Sequence, residues 1–274
     1  MVYDSSNWLG RALNLFVANG FVVIENVLTV KQQREVLRDC ELAAEKIVGP
    51  NRVGNRGPGR YSFGKVSSSG GMLHLKSFAH YLLNGGCYKL LPLLEKIFEN
   101  GAKRGFQCFS AGGDFVVGRT ISDQHIHSDF GNDNSDVLLP PPFLSINFTV
   151  QDLTITNGAI RIIPGTQLYN GKLPTNTPDA WFLSRLYPVP AGAAIIRDVR
   201  TLHSGTPNLS GSTRYLPSVE FVSNDFVETR DPSCFPAPRS LSRDHFLALK
   251  PPLKKLCRGI VHSEKISQWY RMSE

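Results

Sequence analysis

Phe143-Leu-Ser-Ile-Asn-Phe-Thr-Val150 alternates strictly, with Leu144, Ile146, Phe148 and Val150 on one face and Phe143, Ser145, Asn147 and Thr149 on the other. Period two is the signature of a strand with two unlike faces, so one side packs and the other can line a polar pocket. The pattern extends outward. From Phe106 onward short strands alternate with turns, and Ala193-Ala-Ile-Ile196 and residues 213–221 are further strand candidates. Many short strands in one run predict a mainly β fold with helical decoration, a double-stranded β-helix of the jelly-roll, cupin-like kind.

Upstream, helices precede the strands. Residues 7–18 place Trp8, Leu9, Ala12, Leu13, Leu15 and Phe16 at helical spacing and stop at Asn19-Gly20, and Phe21-Val-Val-Ile-Glu25 follows as a strand. Thr29 is a predicted N-cap for a helix through Gln32 to about Ile47, ended by Gly49-Pro50. Residues 51–71, rich in Gly, Ser and Arg, are predicted to be a loop over the pocket, and a further helix is predicted over 88–99. No linker or repeat divides the 274 residues. The expected organisation is one domain, with a helical part over about 1–100, a barrel core over about 105–225 and a C-terminal extension over about 226–274.

The chemistry begins at His127-Ser-Asp129. Residues i and i+2 of an extended strand share a face, so this imidazole and carboxylate can converge on one ion. A third ligand is needed. His203, within Asp198-Val-Arg-Thr-Leu-His-Ser-Gly-Thr-Pro-Asn208, can supply it across a closed sheet. Two histidines and one carboxylate on one face of a metal suit non-haem Fe(II) and dioxygen chemistry. Arg214, eleven residues on, offers a planar fork of donors for a carboxylate. His125 shares parity with His127, so a zinc or manganese cupin hydrolase or isomerase using His125 is an open alternative.

With Asn157-Gly-Ala-Ile-Arg-Ile-Ile-Pro-Gly-Thr166 lying between the first two ligands and the third, the chain resembles the phytanoyl-CoA dioxygenase family of Fe(II)/2-oxoglutarate oxygenases. The likeness runs from Gly20-Phe-Val-Val-Ile-Glu-Asn-Val-Leu28 to about Phe221 and is nearest in style to natural-product-tailoring members. It implies His127, Asp129 and His203 as iron ligands and catalytic centre, and Arg214 as the holder of the distal carboxylate of 2-oxoglutarate. It further implies cosubstrate contacts from Gln124 and Thr166, though alternation alone puts Gln124 on the face opposite His127. The implied reaction uses Fe(II), 2-oxoglutarate and O2 to hydroxylate, desaturate or rearrange a small specialised metabolite, releasing succinate and CO2. Related halogenases replace the acid by a small residue, so Asp129 argues for oxygenation. Tyr61, Phe63, His74, Phe130 and Phe221 are candidate pocket walls by position.

Composition narrows the classes. The formal net charge is +7, but the basic residues are spread along the chain with no aromatic-interleaved stripe, which disfavours nucleic acid and a macromolecule-directed oxygenase. Cys40, Cys87, Cys108, Cys234 and Cys257 are odd in number and lack Cys-x-x-Cys spacing. Free thiols in a reducing compartment are expected. No signal-like start or long apolar run is present, so a cytoplasmic protein without membrane contact is expected, with a homodimer as an open alternative. Lys250, Lys254, Lys255 and Arg258 form a loose basic run predicted to face solvent.

Overall fold

A computed structural model describes residues 3, 5–51, 53–63, 71–99, 103, 105–130, 140–169, 178–229 and 240–262. Helix α1 (Trp8–Asn19) buries Ala12 and Phe16 and ends at Gly20, whose φ of 78° is left-handed. Strand β1 (Phe21–Ile24) follows at once. Helix α2 (Val30–Ile47) starts in a full capping box: Thr29 accepts from the Gln32 backbone, and the Gln32 side chain accepts from the Thr29 N–H. A π-helical stretch (Phe78–Cys87) leads into α3 (Tyr88–Phe98).

The stretch 51–71 departs from the predicted loop. It contains a small hairpin, β2 (Val53–Gly54) with β3 (Gly57–Pro58), and then β4 (Arg60–Ser62), paired to β5 (Phe106–Val116); residues 64–70 lie outside the described residues. Packing decides this. Tyr61 stacks on Phe115 with centroids 4.9 Å apart and planes 5° apart, an aromatic cross-strand pair that outweighs the turn-forming residues around it. The helix over 78–87 also escaped the sequence reading, because Gly85-Gly86 reads as a break. Gly86 instead lets Phe148 approach: a Cβ there would meet the ring at 2.5 Å.

The remaining strands are β6 (Phe143–Phe148), β7 (Ile160–Ile162), β8 (Arg185–Tyr187), β9 (Ala194–Asp198), β10 (His203–Ser204) and β11 (Arg214–Ser223). The larger sheet runs β1-β9-β6-β11-β5-β4, the smaller β10-β7-β8, and every pairing within them is antiparallel. Two strands of the first hundred residues are thus the edges of the barrel's main sheet. Helix α4 (Pro178–Leu183) precedes β8, and α5 (Asn224–Thr229), α6 (Arg243–Leu247) and α7 (Pro251–Leu256) follow β11.

Alternation then separates two interiors. Leu144, Ile146, Phe148 and Val219 join the buried residues of α1, α2 and α3 in the main core. Ile195 and Leu216, pointing the other way, pack with Ile160, Ile162, Leu153 and Val189 of the smaller sheet side. The inner face therefore carries the polar partners: Arg197, Ser145, Asn147, Ser218 and Arg214. This is a jelly-roll barrel with helices on one side. Cys40, Cys87, Cys108 and Cys257 are free and buried, while Cys234 lies outside the described residues. Among the described residues no helix is long and apolar enough to cross a membrane.

Gly20 ties this frame to the site. Its carbonyl accepts from Asp198 N–H (2.8 Å) and Thr201 Oγ1 (3.1 Å), just before His203. A Cβ at Gly20 would sit 2.2 Å from Thr201 Oγ1 and 2.3 Å from Gln167 Oε1, on top of a backbone conformation that costs an L-residue about 1–2 kcal/mol. Gly20→Ala is expected to lower unfolding free energy by about 2 kcal/mol, read by denaturant titration. An unchanged midpoint would contradict this.

Candidate metal centre

His127 and His203 face each other across an antiparallel bridge, exchanging both backbone hydrogen bonds (2.9 and 2.8 Å). Asp129, two residues on, is anchored by its N–H to Val199 O at 2.9 Å. One ligand atom from each of the three residues lies within 4.8 Å of the others. The histidine Nε2 atoms stand 3.9 Å (His127) and 3.7 Å (His203) from Asp129 Oδ1. Those gaps are too long for hydrogen bonds and fit inside two coordination bonds of about 2.1 Å.

The surroundings point the donors inward. His127 Nδ1 lies 2.8 Å from His125 O and His203 Nδ1 lies 3.0 Å from Thr201 O. Carbonyl oxygens only accept, so a proton on each Nδ1 leaves each Nε2 lone pair for an ion. Arg197, buried on β9, donates from Nη2 to Asp129 Oδ2 at 2.8 Å; its Nη1 lies 3.2 Å from His203 Nδ1, which in this tautomer is a contact between two donors and not a hydrogen bond. Asp129 is therefore held by one oxygen and presents the other.

Charge states follow from this packing. Burial, then the Arg197 cation, pushes the His203 pKa down to about 3, so this imidazole is neutral at physiological pH. For Asp129 burial is the largest influence and acts upward. The Arg197 cation and the neighbouring histidines outweigh it and hold the carboxyl well below the usual range. The neutral His203 imidazole and the ionised Asp129 carboxylate are the forms in which these two groups bind a divalent metal. Side-chain exposure is 37% for His127 and 36% for Asp129 but 10% for His203, so the centre opens on one side.

His125 contributes its carbonyl, not its ring, which is exposed and outside the cluster. Gln124 sits on the bridge side: its N–H donates to Gly205 O and its Oε1 accepts from Gly205 N–H at 3.1 Å. Thr166 donates to Ile163 O (2.8 Å) and accepts from Leu202 N–H (2.8 Å), which fixes the residue preceding His203. Tyr61, Phe63 and Phe221 belong to the helix-packed core, whereas Phe130 stacks with Phe143 beside Asp129.

A basic corner is built by Arg214 of β11 and Arg60 of β4, in the larger sheet. Arg214 is buried on β11, donates to Asp114 Oδ1 at 2.9 Å, and keeps a buried Nε without a partner among the described residues. Beside it is Arg60, which sequence reasoning missed because its segment reads as a loop. Arg60 donates from Nη2 to Ser122 O (2.8 Å) and Thr206 O (2.6 Å), and burial followed by the nearby Arg214 charge lowers its pKa. A glycine makes room for Arg60: a Cβ at Gly205 would come 2.7 Å from its Nη1. Three arginines, Arg60, Arg214 and Arg161, against the two aspartates Asp114 and Asp123 leave a net positive corner suited to an organic anion. Arg161 also lies over the Trp181 ring at 4.7 Å, and Arg200 chelates Asp198.

The family model described as phytanoyl-CoA dioxygenase (PhyH) matches residues 116–216, a span containing all three candidate ligands and Arg214. The fold is shared with several solved structures. The non-heme alpha ketoglutarate dependent epimerase SnoN from nogalamycin biosynthesis is 15% identical with a TM-score of 0.55, over 80% of this chain and 82% of that one. HygX from Streptomyces hygroscopicus, with nickel and 2-oxoglutarate bound, is 15% identical with a TM-score of 0.59, over 78% and 86%. The carbocyclase SnoK, also from nogalamycin biosynthesis, is 18% identical with a TM-score of 0.52, over 80% and 85%.

Proposed function

We propose, from the place of residues 116–216 in the phytanoyl-CoA dioxygenase family, that the chain is an Fe(II)/2-oxoglutarate-dependent dioxygenase acting on a small specialised metabolite. The observation that carries this reading is the His127, Asp129 and His203 cluster with both Nδ1 atoms tied to backbone carbonyls and Asp129 Oδ2 tied to Arg197. These residues fit an iron ion through two Nε2 atoms and Oδ1. The basic corner fits a dicarboxylate: Arg214 would hold the distal carboxylate through its unpartnered Nε edge, with Arg60 adding charge. Gln124 lines the same corner. Thr166 serves the site in this reading by positioning Leu202, and through it His203.

Bound iron, 2-oxoglutarate and O2 would supply the oxidising power, with succinate and CO2 released, because such reactivity belongs to cofactor and cosubstrate. The chain's own work is orientation. Arg197 keeps Asp129 ionised and turned, and the Thr201 carbonyl keeps the His203 proton away from the metal-facing nitrogen. SnoN and SnoK come from nogalamycin biosynthesis, and HygX has been solved with hygromycin B bound, which supports a small-molecule substrate here. A cytoplasmic location agrees with four free buried cysteines.

Arg197 gives a test of the assigned centre. Groups that orient metal ligands are typically worth ten- to hundredfold in affinity. Arg197→Leu is expected to weaken divalent-metal binding by about that factor in a cobalt or nickel titration, with Arg197→Lys intermediate. Unaltered metal affinity in Arg197→Leu would contradict the orienting role.

A further inference from the structure

Two polar residues of the barrel interior are used by neither the metal centre nor the basic corner. Asn147 of β6 pairs with Ile195 of β9 on one side and with Ser218 of β11 on the other, and Ser218 pairs in turn with Gly112 of β5. Residues opposite one another in a sheet share a face, and Ile146 and Phe148 belong to the helix-packed core, so Asn147 and Ser218 point into the barrel. Gly112 has no side chain to fill the end of this row.

The row lies between the two halves of the site. Ile195 is two residues from Arg197, which grips Asp129, and Ser218 is four from Arg214, all on the same face. At about 3.3 Å per residue, Ser218 and Arg214 stand about 13 Å apart along β11, a length that an arginine side chain and a five-carbon diacid span together. Ile195 and Leu216, packed side by side on that face, suit the methylenes of such a guest.

Both polar side chains are buried, Asn147 at 8% exposure and Ser218 at 2%, yet neither is satisfied. The Asn147 oxygen receives only the Ser145 hydroxyl, at 3.5 Å, and among the described residues its nitrogen meets no acceptor and Ser218 Oγ no partner. Neither atom is sealed from accessible space, unlike the Nε atoms of Arg60 and Arg214. Donors without acceptors therefore run from Asn147 to the basic corner. Leaving buried donors unmade is costly, and a guest rich in acceptors removes that cost.

We infer that Asn147 is a binding residue for the cosubstrate, its amide donating to a carboxylate oxygen of 2-oxoglutarate with Ser218 beside it. The inference rests on the oxygenase reading above. It adds a contact from the middle of the main sheet to those at its two ends.

The test is an anaerobic titration of the iron-loaded full chain with 2-oxoglutarate, read by the metal-to-ligand charge-transfer band and by calorimetry. Asn147→Leu, close in shape, is expected to weaken binding about tenfold or more, since hydrogen bonds to charged groups are worth at least that factor. Asn147→Asp should weaken it further, because a carboxylate then stands where the donor faced an anion. Iron content and circular dichroism of Asn147→Leu should match the parent. Unchanged affinity in a folded Asn147→Leu protein overturns the inference. So does a folded Asn147→Asp protein that binds as tightly as Asn147→Leu, because an amide that only packs the barrel would not sense the sign of the charge. If Asn147→Asp does not fold, Asn147→Leu decides alone. A parent that binds no 2-oxoglutarate overturns the oxygenase reading and this inference with it, whereas a parent that binds while both variants keep its affinity removes Asn147 alone.

Discussion

His203→Ala and Asp129→Ala are each expected to yield folded protein with iron content and turnover at background. Both side chains would be metal ligands whose removal leaves the packing of the two sheets in place, since the main core lies on the other face of the larger sheet. His127→Ala should behave alike. His203 is the most buried of the three, so its loss also creates a small cavity, and a modest fall in melting temperature is expected there alone. His125→Ala is the contrast: its ring is exposed and only its carbonyl serves the site, so iron should be retained. Stoichiometric iron in any triad variant would refute that ligand. Loss of iron in His125→Ala with Asp129 dispensable would favour a different metal enzyme.

The next largest effect is expected at Arg214. Removing one partner of a buried charge-assisted contact costs on the order of 2 to 4 kcal/mol, and about 1.4 kcal/mol is tenfold. Arg214→Ala should therefore weaken 2-oxoglutarate binding by roughly two orders of magnitude and leave metal affinity nearly unchanged. It also frees Asp114 from its 2.9 Å ion pair, but Asp114 has a side chain 42% exposed, so water can take over. Arg214→Lys should recover only part, because an ammonium keeps charge without the fork. Unchanged cosubstrate affinity in Arg214→Ala would move the anchor to Arg60, the other buried guanidinium of that corner.

The residues show why some of this was legible in sequence and some was not. Period two in residues 143–150 and the Thr29–Gln32 cap are local signals, and local hydrogen bonds or faces realise them in the structure. The clustering of His127, Asp129 and His203 was legible because two of them share a face at spacing two and the third stands before a recognisable turn. Arg60 and Arg197 were not singled out in these roles. Each gets its role from a residue distant in sequence: Arg60 from Thr206, Arg197 from Asp129. Register across a sheet brings such partners together, and nothing in the spacing of one chain segment encodes it. Strand β4 within residues 51–71 was hidden for the same reason, its pairing to β5 being carried by the Phe115 ring and not by its own composition.

Anaerobic titration of the iron-loaded protein with 2-oxoglutarate tests the central claim most directly. The account predicts a saturable metal-to-ligand charge-transfer band at one equivalent per chain, and succinate release once O2 and a suitable small metabolite are admitted. A protein that binds iron yet shows neither the band nor succinate, or one that turns over with zinc or manganese and no keto acid, would contradict it.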